Sequence, residues 1–245
     1  MTKFRLRLGV AVAALTMVAY ATELYAAAPD NPAHDAQSAN GEVVDVFSAI
    51  ENKQVDVKFI ALNANKANLV IENKTKQPLT IKLPEAFAGM PVLAQFPAGD
   101  ANQGVGGGAA GGPFNIAPEK TRKVEVACVC LEHGKPDPYA KVPYELKRLS
   151  AISDKPEVAA LISRYSKGDI ATNAAQAAAW HLQNGMSWKE LAAKQREHVR
   201  GPNEPYFTRQ ELATAMKLAD AAVAHARQHA SEAVDFESFS PGAAK

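Results

Sequence analysis

Cysteine is nearly missing from this chain of 245 residues: only Cys128 and Cys130 are present, one residue apart. A bond between them would close almost no loop, which excludes a fold stapled by disulfides. Aromatic residues are only 7% of the chain, so few large side chains are available to build a core. Neither charge sign dominates, with 27 Lys+Arg against 26 Asp+Glu, and the clustered basic face that nucleic acid requires is not seen. Past the N-terminus no apolar run reaches the roughly 18 residues of a membrane span. A Ser-His-Asp order, a nucleophile elbow and a His-Glu-x-x-His zinc motif are also missing, so nothing recommends a hydrolase.

Alanine is what the chain has in excess. It accounts for 47 residues, about two-fifths of the hydrophobic content. Each contributes little buried area at roughly 25 cal/mol per Å². The first 26 residues read as a secretory signal peptide: Lys3, Arg5 and Arg7 precede an apolar stretch over 8–21, and small residues follow. That order implies an exported protein, periplasmic or extracellular. Residues 27–42 are rich in Pro, Asp, Asn, Ala and Ser without periodicity and read as a mobile leader.

From residue 43 the pattern is periodic. Val43, Val46, Phe47 and Ile50 suggest a short amphipathic helix. A period of two then marks strands over 55–62, 68–72, 79–83, 91–96, 114–116 and 123–131, separated by turn residues. Several short strands in meander order point to an Ig-like antiparallel β-sandwich over 43–133, with a glycine-rich loop over 99–113. Pro136, Pro138 and Pro143 mark 134–149 as a semi-rigid connector. Helical signals follow over 154–165, 169–183, 187–199 and 208–231, the last two opened by the capping boxes Ser187/Glu190 and Thr208/Glu211. The expected fold is therefore segregated α+β, the sandwich followed by a small helical bundle over 150–233 and a mobile tail over 234–245.

Candidate chemistry is sparse. Six of the 15 glycines fall within 104–112, but no Lys-Ser or Lys-Thr pair and no helix start follow, so a hairpin loop is favoured over a phosphate cradle. Cys128, Cys130 and His133 form the best cluster, because two thiolates and an imidazole suit Cu(I) or Zn. Against this stand the missing fourth ligand and the habit of free cysteine to be buried. His225 and His229 stand one helical turn apart beside the apolar stripe of the last helix, without a third ligand at a matching offset. Trp180, His181, Met186 and Trp188 bracket the turn Asn184-Gly185 and read as packing anchors more readily than as a binding notch. Asn73-Lys74-Thr75 fits a glycosylation sequon, a weak signal in itself.

The succession over 68–95, the glycine-rich stretch, Cys130-Leu131-Glu132-His133-Gly134-Lys135-Pro136-Asp137-Pro138, Pro143-Tyr144-Glu145-Leu146 and the run over 174–191 through Trp180-His181 and Ser187-Trp188 resemble an uncharacterised family of exported bacterial proteins. The resemblance is collinear over about 43–193. It implies a secreted or envelope protein with a β-rich first part and an alanine-rich helical second part, and it brings no reaction, cofactor or substrate. Cys130 and His133 fall within its motif, while Cys128 departs from it. The reading of the sequence is thus an exported binding or structural module without catalytic activity and without a cofactor. Its expected partner is an envelope or extracellular component and not nucleic acid. The alternative is a metal-binding or redox protein using Cys128, Cys130 and His133 with Cu or Zn.

Overall fold

The computed structural model describes residues 43–92, 104–108, 112–198 and 201–238, with 230–238 as backbone alone. The signal segment, the leader, most of the fourth expected strand and part of the glycine-rich segment lie outside the described residues.

The described residues begin with strand β1 (Val43–Asp45), whose last residue caps helix α1 (Val46–Glu51) by accepting from the backbone N–H groups of Phe47 and Ser48. Strands β2 (Val55–Asn63), β3 (Lys66–Asn73), β4 (Leu79–Lys82), β5 (Phe87–Pro91), β6 (Val105–Gly108), β7 (Phe114–Ile116), β8 (Thr121–Cys130) and β9 (Tyr144–Arg148) follow. Six of them close into an antiparallel barrel in the order β2-β3-β8-β6-β5-β9, and β1, β4 and β7 form a small mixed sheet. Phe59, Leu69, Ile71, Phe87, Val105, Val126 and Cys128 fill a continuous core that α1 and the small sheet join. Complete burial of side chains such as Leu69, Ile71 and Phe87 contributes about 1.5–3 kcal/mol each.

This barrel corrects the expected sandwich, for two physical reasons. The proline-marked segment is not only a connector: past Pro143 it becomes β9, which pairs along β5 and meets β2 at Phe59↔Tyr144, closing the sheet. The two rings at that closure stand 5.9 Å apart. Likewise, 105–108 is not loop but a fully buried barrel strand. Its glycines permit close approach. A Cβ on Gly106 would lie 2.5 Å from Ile162 Cδ1, and one on Gly108 would lie 2.4 Å from the Glu85 backbone oxygen and 2.6 Å from Ser166 Cβ.

The helices correct the second half of that expectation. Helices α2 (Pro156–Ser166), α3 (Thr172–Asn184), α4 (Trp188–Ala193) and α5 (Arg209–Ser238) do form, with a two-stranded hairpin, β10 (Gln195–Arg196) and β11 (Glu204–Pro205), cutting short the third expected helix. They do not make a separate bundle. Their core includes Ala88, Val129 and Leu131, the outward residues of the barrel wall, packed with Leu161, Ile162, Tyr165 and Trp180. Alternation along β8 explains this: Val126, Cys128 and Cys130 face the barrel interior, while Val129 and Leu131 face the helices. Alanine makes the seam between helices, with Ala174, Ala175, Ala177, Ala178 and Ala179 of α3 and Ala215 of α5 fully buried. The residues read as a tail over 234–238 continue α5.

Candidate functional site

Helix α3 is fastened to the end of β8 by side-chain amides. The Gln176 Nε2 donates to the Cys130 carbonyl at 2.9 Å, and its Oε1 accepts from the Cys130 N–H at 2.8 Å, all in a buried place. Asn184 repeats the device, its Nδ2 donating to the Leu131 carbonyl at 3.0 Å while its Oδ1 accepts from the His133 N–H. Gly185, left-handed at φ 71°, ends the helix just beyond. These bonds fix the turn after β8, and with it His133, against Trp180 on α3.

Around Trp180 the structure gathers an aromatic and cationic cluster. His133 meets the indole edge-on at 4.7 Å, and Tyr206 and Phe207 lie at 5.6 and 5.9 Å. Lys194, the residue that ends α4, places its Nζ 5.3 Å from both the Trp180 and Tyr206 ring centres and 3.0 Å from His133 Nε2. The Arg196 guanidinium stands 5.0 Å from the Tyr206 ring and pairs with Glu204 at 3.1 Å. Hairpin geometry sets this stacking, because the Tyr206 N–H donates to the Lys194 carbonyl at 2.9 Å. Trp180 is only 4% exposed, and its Nε1 is buried without a hydrogen-bond partner among the described residues.

The electrostatics follow from these contacts. Burial first, and then the Lys194 ammonium, hold the His133 imidazole below its ordinary value of 6.5, so a neutral ring accepts from Lys194. Burial and the Asp137 carboxylate push the Tyr206 phenol up, with Arg196 acting in the opposite sense. The Lys194 Nζ thus stands beside a neutral acceptor and two π faces, an arrangement worth about 0.5–2 kcal/mol per cation–π contact.

The three residues singled out for metal or redox chemistry are not brought together. Cys128 and Cys130 are buried in the barrel interior, their thiols donating to the carbonyls of Val126 and Ala64 at 3.7 and 3.8 Å, whereas His133 sits on the helical side with Trp180. Burial pushes the Cys128 thiol up to about 12 and the Cys130 thiol up as well, the latter helped by Asp137 and Cys128. Thiolate, the form that binds metal and reacts, is therefore disfavoured at both. No group of three His, Cys, Asp or Glu side chains among the described residues could hold a metal ion.

Other sequence candidates fall into place. His181 stacks on Trp188 at 4.1 Å, with its Nδ1 2.7 Å from the Met186 carbonyl, so both anchor the turn after α3. Asn73, the sequon residue, is fully buried with Nδ2 donating to the carbonyls of Gln77, Ile116 and Ala117, which leaves no room for a glycan. Lys194, Arg196 and Tyr206 were missed by sequence reasoning. The signal was faint, since one expected helix covered both Lys194 and Arg196 and concealed the hairpin. Compared with known proteins, the chain matches no family model, no curated protein and no solved structure.

Proposed function

We propose that this chain is an exported, non-catalytic binding module that docks an anionic group of an envelope or extracellular component on the Lys194–Arg196–Tyr206 surface. The observation that carries the proposal is the stacking of two cations on one tyrosine ring, with the Lys194 ammonium set against the neutral His133 instead of a carboxylate. The two cationic side chains bring donor capacity, part of which Glu204 and His133 already take up. Lys194 has three ammonium protons, Arg196 has five N–H groups, and neither accepts. An acceptor-rich, negatively charged ligand would engage the remaining donors, since the aromatic platform leaves the Lys194 ammonium without a carboxylate partner and Glu204 takes only part of the Arg196 fork.

Two features favour binding over catalysis. The thiols are buried in an apolar interior with raised pKa values. His133, the imidazole in the cluster, is engaged by Lys194 and Trp180. The export part of the proposal rests on the N-terminal signal pattern alone.

The test is a calorimetric titration of the chain with dextran sulfate, polyglutamate and neutral dextran, alongside Lys194→Gln/Arg196→Gln. Binding of a charged polymer that is absent for neutral dextran and lost in the double variant, which still unfolds in one cooperative transition above the titration temperature, supports the proposal. Sulfate-only or carboxylate-only binding tells which oxyanion the surface takes. No binding to either charged polymer, or binding unaffected by the double change, overturns it.

A further inference from the structure

We propose that the cavity between the barrel wall and the α2–α3 connection binds a small zwitterion, an amino acid with an apolar side chain. The cavity measures about 240 Å³, and its lining includes Lys66 and Glu125 on the barrel side, Tyr165 and Thr172 on the helical side, and the apolar Ala127 and Ile170. Drug-sized ligands need roughly 300–1,000 Å³, so the occupant is smaller. The fold sets this place. Lys66 opens β3, Glu125 alternates with the inward Val126 and so lies on the outer face of β8, and α2 carries Tyr165 up to the connection that leads into α3. The cavity shares no residue with the Lys194–Arg196–Tyr206 surface.

Charge balance selects the ligand class. Lys66 Nζ and Glu125 Oε1 pair at 3.1 Å, with the two side chains 58% and 59% exposed. An exposed pair of this kind adds little stability and opens readily. A ligand with a single charge would replace one partner and strand the other. A zwitterion replaces both, its carboxylate meeting Lys66 and its ammonium meeting Glu125. Neighbouring groups suit each end. The Tyr165 hydroxyl, on a side chain 4% exposed, donates to Thr172 Oγ1 at 3.1 Å, which leaves the Thr172 hydroxyl proton for a carboxylate oxygen. Burial pushes the Tyr165 phenol up, while Thr172 and Lys66 act in the opposite sense, so Lys66 lies within electrostatic reach of these hydroxyls. At the other end Asn68 stands across from Glu125 on the same outer face, with its Oδ1 buried and without a hydrogen-bond partner among the described residues. An ammonium at Glu125 brings N–H donors beside that acceptor. Ala127 and Ile170 leave an apolar wall for the ligand's side chain.

The experiment titrates the full chain by calorimetry with L-leucine and with two analogues that each lack one charge, 4-methylpentanoate and 3-methylbutylamine, while amide NMR shifts locate the site. The expected result is one equivalent of leucine, binding of either analogue weaker by about tenfold or more, and shifts that begin at Lys66, Glu125 and Thr172. Lys66→Gln and Glu125→Gln each weaken leucine binding by about tenfold or more as one charge-assisted bond is lost. Lys66→Gln also removes the advantage of leucine over 3-methylbutylamine, which a general collapse of the cavity would not do. Both positions are exposed, so the variants keep the cooperative unfolding of the parent. No leucine binding at millimolar concentration, equal affinity for leucine and either analogue, shifts that begin at Lys194 and Arg196, or leucine affinity unchanged in both variants overturns the proposal.

Discussion

Replacing Gln176 with leucine tests how the helices are joined to the barrel. The two side chains are close in volume, so the change opens no large cavity and acts through hydrogen bonding. In the native chain the amide satisfies both the N–H and the C=O of Cys130, at 2.8 and 2.9 Å, at a position 3% exposed. Leucine leaves both backbone groups buried without those partners, at about 1–3 kcal/mol each. Burying its apolar surface returns about 1–2 kcal/mol. The expected net loss centres on about 2.5 kcal/mol within a range of about 0–5, set against the roughly 5–15 kcal/mol that holds a domain together. Urea denaturation reads it as a lower midpoint at unchanged slope, and hydrogen exchange reads faster exchange of the Cys130 amide. Gln176→Glu sharpens the test. A protonated glutamic acid keeps both bonds, whereas the carboxylate has no proton for the Cys130 carbonyl. The folded-state pKa of the new side chain is therefore raised, and its stability is present at acid pH and lost as pH rises through that value. A loss below about 0.5 kcal/mol for Gln176→Leu, with unchanged exchange at Cys130, would refute the assignment of this amide as a fastening.

Two further outcomes follow from the same geometry. Gly108→Ala is expected to cost more stability than Gly106→Ala, because the new Cβ meets the Glu85 backbone oxygen and Ser166 Cβ in the first case and only side-chain ends, those of Ile162 and Leu131, in the second; equal thermal shifts would contradict this. His133 titrates below its ordinary value of 6.5 in the folded chain, so the unfolded chain binds more protons across that window. Stability is present above about pH 6.5 and falls as pH drops from there through the lower folded-state value. His133→Gln is expected to reduce that slope in urea titrations at a series of pH values, and an unchanged slope would contradict the burial of this ring.

Much of the strand and helix placement was legible, and the reasons are local. Alternating apolar residues over 55–59 and 124–130 mark β2 and β8, and the box Ser187/Glu190 marks the start of α4, where both reciprocal bonds form. Barrel closure was hidden because it depends on non-local pairing. Tyr144 and Leu146 show the inward alternation of β9, but three prolines nearby outweigh five residues of pattern. In β6 the signal is inverted: Gly106 and Gly108 are strand residues because a side chain would block α2 and the chain at Glu85, and composition reads glycine as loop. Proximity of His133 to Cys128 and Cys130 in sequence suggested a shared site, yet the alternation of β8 and the turn after it send them to opposite sides of the wall. Conversely, Lys194 and His133 are 61 residues apart and meet only because Gln176 and Asn184 fix α3 to the turn after β8.

The measurement that bears most directly on the proposed docking surface compares two paired neutralisations. Lys194→Gln/Arg196→Gln removes the cations stacked on Tyr206, and Lys58→Gln/Lys123→Gln removes the same charge from exposed positions on barrel strands β2 and β8. Both are titrated with dextran sulfate and polyglutamate at low and high salt. The account predicts that the first pair abolishes binding to the charged polymer, while the second reduces it only modestly and in a way that high salt hides. Equal losses in the two pairs would show a diffuse charge effect and contradict a built surface at Tyr206.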